Sequence, residues 1–182
     1  NQAFYGRLIS WSGYDDLNYL TSVTFAENSQ LILIDSQAFR DNNIEDLVLP
    51  NSVEYIGDQA FGYYEGEIIL PSNLQYLALS AFFSVSNTTL YIPSSVIEIM
   101  RTGNPYHYSG NTIDFVVDIN NSNYASLDGI IYNKNLSEIF AVPRGKTEIV
   151  LPISVIRFNS YYVHFWSNMT IYLEVTEKPN QF

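Results

Sequence analysis

Ile44-Glu45-Asp46-Leu47-Val48-Leu49-Pro50-Asn51-Ser52-Val53-Glu54-Tyr55-Ile56-Gly57-Asp58-Gln59-Ala60-Phe61 decides the fold. Its first half alternates, with Leu47 and Leu49 flanking Val48, and stops at Pro50, whose missing N–H ends a strand ladder. Its second half places Ile56, Gly57, Ala60 and Phe61 at fixed offsets from Val53. Both halves recur. Apolar-x-apolar-proline returns as Ile68-Ile69-Leu70-Pro71, Leu90-Tyr91-Ile92-Pro93 and Ile149-Val150-Leu151-Pro152. Val23-Thr24-Phe25, Phe115-Val116-Val117 and Ile171-Tyr172-Leu173 keep the alternation without the proline. From the first such segment at 23 to the last at 171, the steps are 24, 21, 22, 25, 34 and 22. The second half returns from Leu31 to Ala38-Phe39 and from Leu74 to Ala81-Phe82. A supersecondary unit repeated at about 22 residues cannot bury its apolar side alone, and stacking buries it against both neighbours. The period therefore predicts a solenoid, with small alanines permitting close approach between coils and phenylalanines filling the interior.

These residues resemble the BspA-like leucine-rich repeats of treponemal and Bacteroides surface proteins, whose pattern is roughly L-x-x-I-x-(I/L)-P-x-S-(V/L)-x-x-I-G-x-x-A-F. Ile44, Leu47, Leu49, Pro50, Ser52, Val53, Ile56, Gly57, Ala60 and Phe61 match it nearly position by position. The long step also resembles that family's extended unit, in which a β-hairpin is inserted between repeats. Here it would span 113–146, with the hairpin around 118–146. The resemblance implies an α/β-class leucine-rich-repeat solenoid, strand-dominated and right-handed, of about six to seven coils. Parallel strands would line its concave face, with little regular helix. It covers 20–173. Residues 1–19 read as a degenerate cap offering Phe4, Leu8, Ile9 and Trp11, and 174–182 as a polar, fraying tail. Two copies depart from the pattern: Gly103-Asn104 and Tyr162-Val163 stand where Ala-Phe belongs.

The chain has 182 residues, 47% hydrophobic and 15% aromatic, so it is not intrinsically disordered. Its net charge of −11 disfavours nucleic acid and anionic lipid as partners. With no cysteine there is no disulfide, thiolate metal site or cysteine nucleophile, which suits a bacterial protein. No apolar run is long enough to form a transmembrane segment. Asn1-Gln2-Ala3-Phe4 lacks a methionine and a signal pattern, as expected of a chain trimmed or matured upstream.

In each alternating segment the middle residue should point outward. Parallel strands about 4.8 Å apart would stack these into a column of Thr24, Val48, Ile69, Tyr91, Val116, Val150 and Tyr172. Two residues earlier runs a second stripe carrying Asp46, Glu67, Asp114 and Glu148. Strand propensity alone accounts for valine, isoleucine and tyrosine there, and exposed apolar patches also mark interaction sites. For the carboxylates, a solvated acidic face stands beside a second reading, in which stacked like charges call for a basic partner or a cation. Tyr106, His107 and Tyr108, after Asn104-Pro105, form a possible ridge contact, because a tyrosine ring suits protein or glycan.

Catalytic signatures are missing. His107 and His164 have no zinc-binding spacing, and neither a P-loop nor a nucleophile elbow occurs. Asp118-x-Asn120-x-Ser122 echoes a calcium loop but has neither its glycine nor its final acid. The reading is a non-enzymatic, secreted or cell-surface adhesion module needing no cofactor and no metal. Its partner would be a host or bacterial surface protein or extracellular matrix, met by the concave face with Tyr91 and Tyr172 as anchors. A spacer or homotypic packing repeat, and a glycan-binding module using the tyrosines, are the alternatives. The oligomeric state is open.

Overall fold

A proline corner starts the second pass of four coils. The N–H of Val53 donates to Pro50 O, Leu74 to Pro71, Val96 to Pro93 and Val155 to Pro152, at 3.0–3.2 Å. The serine of the Pro-x-Ser motif closes the same corner. The hydroxyls of Ser52, Ser95 and Ser154 donate to the carbonyls of Leu31, Leu74 and Leu136 in the preceding coil, at 2.7–3.0 Å. A backbone acceptor that has left the ladder is thereby satisfied.

The computed structural model describes residues 20–42, 44–45, 47–64, 66–82, 85, 88–100, 113–143, 146–158 and 169–174. The cap expected at 1–19, Asp46, Tyr106-His107-Tyr108, His164 and nearly all of the 174–182 tail lie outside them. In chain order the strands are β1 (Leu33–Ile34), β2 (Tyr55–Ile56), β3 (Tyr76–Ala78), β4 (Thr88–Ile92), β5 (Glu98–Met100) and β6 (Ile113–Val117), followed by β7 (Tyr124–Leu127), β8 (Ile130–Asn133), β9 (Glu138–Ala141), β10 (Glu148–Leu151), β11 (Arg157–Phe158) and β12 (Thr170–Leu173). A single 3-10 turn, Leu79–Phe82, is the helical element among the described residues. The architecture is the solenoid expected from the period, strand-dominated as the family resemblance implies.

Each coil passes two faces. On the second face, β1, β2, β3 and β5 form one parallel sheet, and Ile34, Ile56, Leu77 and Ile99 share a buried register. Gly57 follows because a Cβ there would stand 2.7 Å from Ser36 N of the neighbouring coil. The Ala-Phe turn comes next. Phe39, Phe61 and Phe82 stack nearly parallel, with centroids 5.6 and 5.8 Å apart. Phe39 N–H donates to Ala60 O and Phe61 N–H to Ala81 O, both at 2.8 Å. The phenylalanine of the repeat is thus a continuous aromatic ladder through the core.

The first face pairs less regularly than the alternation predicts. β4 pairs β6 and β10 pairs β12, both parallel, whereas 23–25, 47–49 and 68–70 form no ladder. Their in-out alternation survives: Leu47 and Ile68 are buried while Val48 and Ile69 are exposed. The coils here are held by the second-face sheet and the phenylalanine stack.

The insertion is larger than a hairpin. β7, β8 and β9 form an antiparallel meander, and β11 extends it in parallel with β9. Asp128-Gly129 makes the tip, both residues at positive φ (50° and 71°), the conformation favoured in a tight two-residue turn. β8 is buried on both sides. Ile131 joins the core of the N-terminal coils, while Ile130 and Tyr132 join Ile139, Ile149 and Leu151 in a second core. The meander is therefore a partition within the stack. Asn121 fastens it: fully buried, it donates to Pro93 O and Val96 O and accepts from the N–H groups of Asn123 and Tyr124, at 2.9–3.1 Å.

Candidate functional site

The first-face column follows from strand geometry, since the residue between two core-facing neighbours must face solvent. Val48, Ile69 and Tyr91 are 78%, 67% and 66% exposed. Thr24, Val116, Val150 and Tyr172 are exposed as well. The ladders bring these residues together in two pairs, Tyr91 beside Val116 and Val150 beside Tyr172. The uninterrupted column expected from the period does not form: 23–25, 47–49 and 68–70 join no ladder, and beyond Val116 the tip of the meander stands beside β6. Phe115 N–H donates to Gly129 O at 3.0 Å, and Val117 N–H to Ser126 Oγ at 2.9 Å.

The same insertion changes the electrostatics. Glu67, Asp114 and Glu148 are exposed as expected. However, the strand neighbour of Asp114 is Thr89 and that of Glu148 is Thr170, so these two carboxylates face hydroxyl-bearing residues. Lys146 Nζ lies 3.6 Å from Asp114 Oδ1 and 3.4 Å from Asp128 Oδ1. The chain supplies its own cation at Asp114, which removes the need for a bound one at that position. Asp118, from the calcium-like stretch, spends Oδ1 on the backbone N–H and the side-chain amide of Asn120. Among the described residues no cluster of three His, Asp or Glu side chains could hold a metal ion. No helix among them is long and apolar enough to cross a membrane.

Sequence reasoning missed a second outward row. On the second face Leu33, Tyr55, Tyr76 and Glu98 are register partners, and the Tyr55 and Tyr76 rings are 6.4 Å apart. The signal was present, because each precedes a core residue of the repeated block by one position. The block's small and bulky core residues, Ala60 and Phe61 among them, mask the short strand that precedes them.

The chain matches the family model for the BspA type leucine rich repeat region over residues 8–113, in 6 copies. It is similar in structure to the pneumococcal vaccine antigen PcpA, with a TM-score of 0.69 and 25% identity over 85% of this chain and 40% of that one. A leucine-rich repeat protein from Eubacterium ventriosum shares the fold, with a TM-score of 0.64 and 24% identity over 85% of this chain and 44% of that one. The chain thus spans less than half the length of these structural neighbours. No curated protein gives a significant match. Six repeat copies, proline-serine corners and a shared phenylalanine ladder lead to one assignment: the chain belongs to the BspA-type leucine-rich-repeat family.

Proposed function

We propose that this chain is a non-enzymatic recognition module, secreted or held on a bacterial surface, that binds a protein on a host or bacterial surface or in extracellular matrix. One observation carries the reading: Val48, Ile69, Tyr91, Val116, Val150 and Tyr172 all project into solvent from a rigid scaffold that does not need them for its core. Apolar and aromatic side chains presented this way suit partner contact, and tyrosine is enriched among the residues that dominate binding energy. Asp46, Glu67 and Glu148 would add preference for a basic partner surface, with a smaller share from Asp114, which Lys146 already neutralises in part. The likeness to a pneumococcal vaccine antigen supports the surface location.

The test is a binding screen of the chain against matrix proteins, host-cell surfaces and polysaccharides. Tyr91→Ala with Tyr172→Ala is run beside it, together with a variant neutralising the four carboxylates. A protein ligand bound at least about tenfold more weakly by the tyrosine variant, with its melting temperature unchanged, is the expected result. A ligand bound equally by both variants removes the face from the account. Retention on polysaccharide, lost in Tyr106→Ala with Tyr108→Ala, would favour glycan binding instead.

Homotypic packing is a second reading, favoured by β12. Ile171 and Leu173 occupy the register of Ile149 and Leu151, which are 1% and 0% exposed, yet they are themselves 37% and 65% exposed.

A further inference from the structure

The first two coils diverge on one face while remaining tied on the other. On the second face Leu33 pairs with Tyr55 and Ile34 with Ile56, and the Phe39 ring stacks on Phe61. On the first face, the backbone bond between these passes is Glu45 N–H to Thr21 O at 3.4 Å. Among the described residues, Val23, Thr24, Phe25, Val48 and Leu49 make no backbone–backbone hydrogen bond with one another. The open side of the wedge is a cleft of about 510 Å³ whose lining includes Val23, Thr24, Phe25, Glu27, Val48 and Leu49. That volume falls within the roughly 300–1,000 Å³ of ligand clefts. Between the second and third passes, Leu47, Leu49, Ile68 and Ile69 line a space of about 10 Å³.

Unpaired backbone donors and acceptors, flanked by side chains that alternate between core and solvent, form a template for another strand. A helix or a globular knob would leave those groups unsatisfied, whereas an extended backbone satisfies both sides of the wedge at once. The lining contains Glu27 and no lysine or arginine, Glu45 is exposed beside the bond at its edge, and the chain carries a net charge of −11. We propose that the cleft between 23–25 and 47–49 takes an extended peptide as an added strand, with alternating β-branched residues and lysine or arginine at its ends. This rests on the protein-recognition reading above and assigns the kind of segment the partner would offer.

The probe is a fluorescein-labelled peptide of alternating valine and threonine flanked by lysines, titrated with the chain and followed by anisotropy. Saturable binding is expected. Glutamate flanks should weaken it at least about tenfold, and N-methylation at alternate residues should abolish it while leaving the side chains in place. Val48→Pro should abolish it as well, because outward-facing first-face residues turn their N–H towards the preceding coil, as Asp118 does to Ile92 O and Thr170 to Thr147 O, and proline removes that donor. Its melting temperature should stay within a few degrees of wild type, since that N–H is not part of a ladder. Glu27→Lys should weaken binding several-fold. Absence of saturable binding to the wild-type chain overturns the proposal, as does undiminished binding by Val48→Pro or of the N-methylated peptide. Tyr91→Ala with Val116→Ala should leave the peptide affinity unchanged. Loss of a protein partner in that variant alone separates a failure of the cleft from a failure of the face.

Discussion

Among the described residues, Tyr132 is the titratable group whose pKa is clearly displaced from that of its free side chain. It is fully buried, and its hydroxyl has no hydrogen-bond partner. Burial, and then the charge of Asp128, push its pKa up from 10.0 to about 12. The folded state thus holds the neutral phenol where the unfolded chain would ionise. The associated stability is fully present below pH 10 and is lost as the pH rises towards 12. Tyr132→Phe should be neutral or stabilising by about 1 kcal/mol near pH 7, because a buried hydroxyl without a partner costs roughly 1–3 kcal/mol. It should also flatten the fall in melting temperature between pH 10 and 12. Thermal unfolding of both proteins across that range checks it, and a loss of more than about 2 kcal/mol at neutral pH would mean the hydroxyl is satisfied after all. Nothing in Gly129-Ile130-Ile131-Tyr132 marks the tyrosine as buried on both sides. That depends on β8 lying between two cores. Asn121 likewise reads as one asparagine among several, and the two hydrogen bonds it donates exist only because the distant carbonyls of Pro93 and Val96 converge on it.

Among the elements, the phenylalanine ladder ties the first coils together. Phe61 sits between Phe39 and Phe82 and is 1% exposed. Phe61→Ala should cost about 3–5 kcal/mol, the cost of a large cavity in a packed core. In a linear array the loss should be local. Amide exchange should accelerate in β1, β2 and β3 far more than in β10, whose buried residues lie in the second core. Uniform acceleration along the chain would show that the array unfolds as one unit. The ladder was legible from the spacing of Ala-Phe, and so were the proline corners. The pairing of the alternating segments was legible only in part. Alternation fixes which side chains face in, but a ladder also needs two backbones at hydrogen-bonding distance. At 23–25, 47–49 and 68–70 the other face sets the distance between coils.

For the whole molecule, the exposed inward side of β12 bears on assembly. If chains pack end on end, the wild-type protein should associate with increasing concentration in sedimentation velocity, and Ile171→Lys with Leu173→Lys should be monomeric. A wild-type chain that stays monomeric at all concentrations leaves that edge without a homotypic role. The sequence by itself determined the repeat, its period, the family resemblance, the core-facing residues and the place of the insertion. Each of these depends on local spacing: alternation sets a side chain's direction, proline and serine set a corner, and a constant period puts equivalent residues in register. Tertiary structure alone decided what depends on the gap between coils and on what fills it. The three-stranded partition splits the outward column into two pairs, Lys146 reaches Asp114 across 32 residues of chain, and the first two coils tie on one face while parting on the other. Backbone separation is set jointly by every side chain packed between neighbouring coils, and no single repeat encodes it.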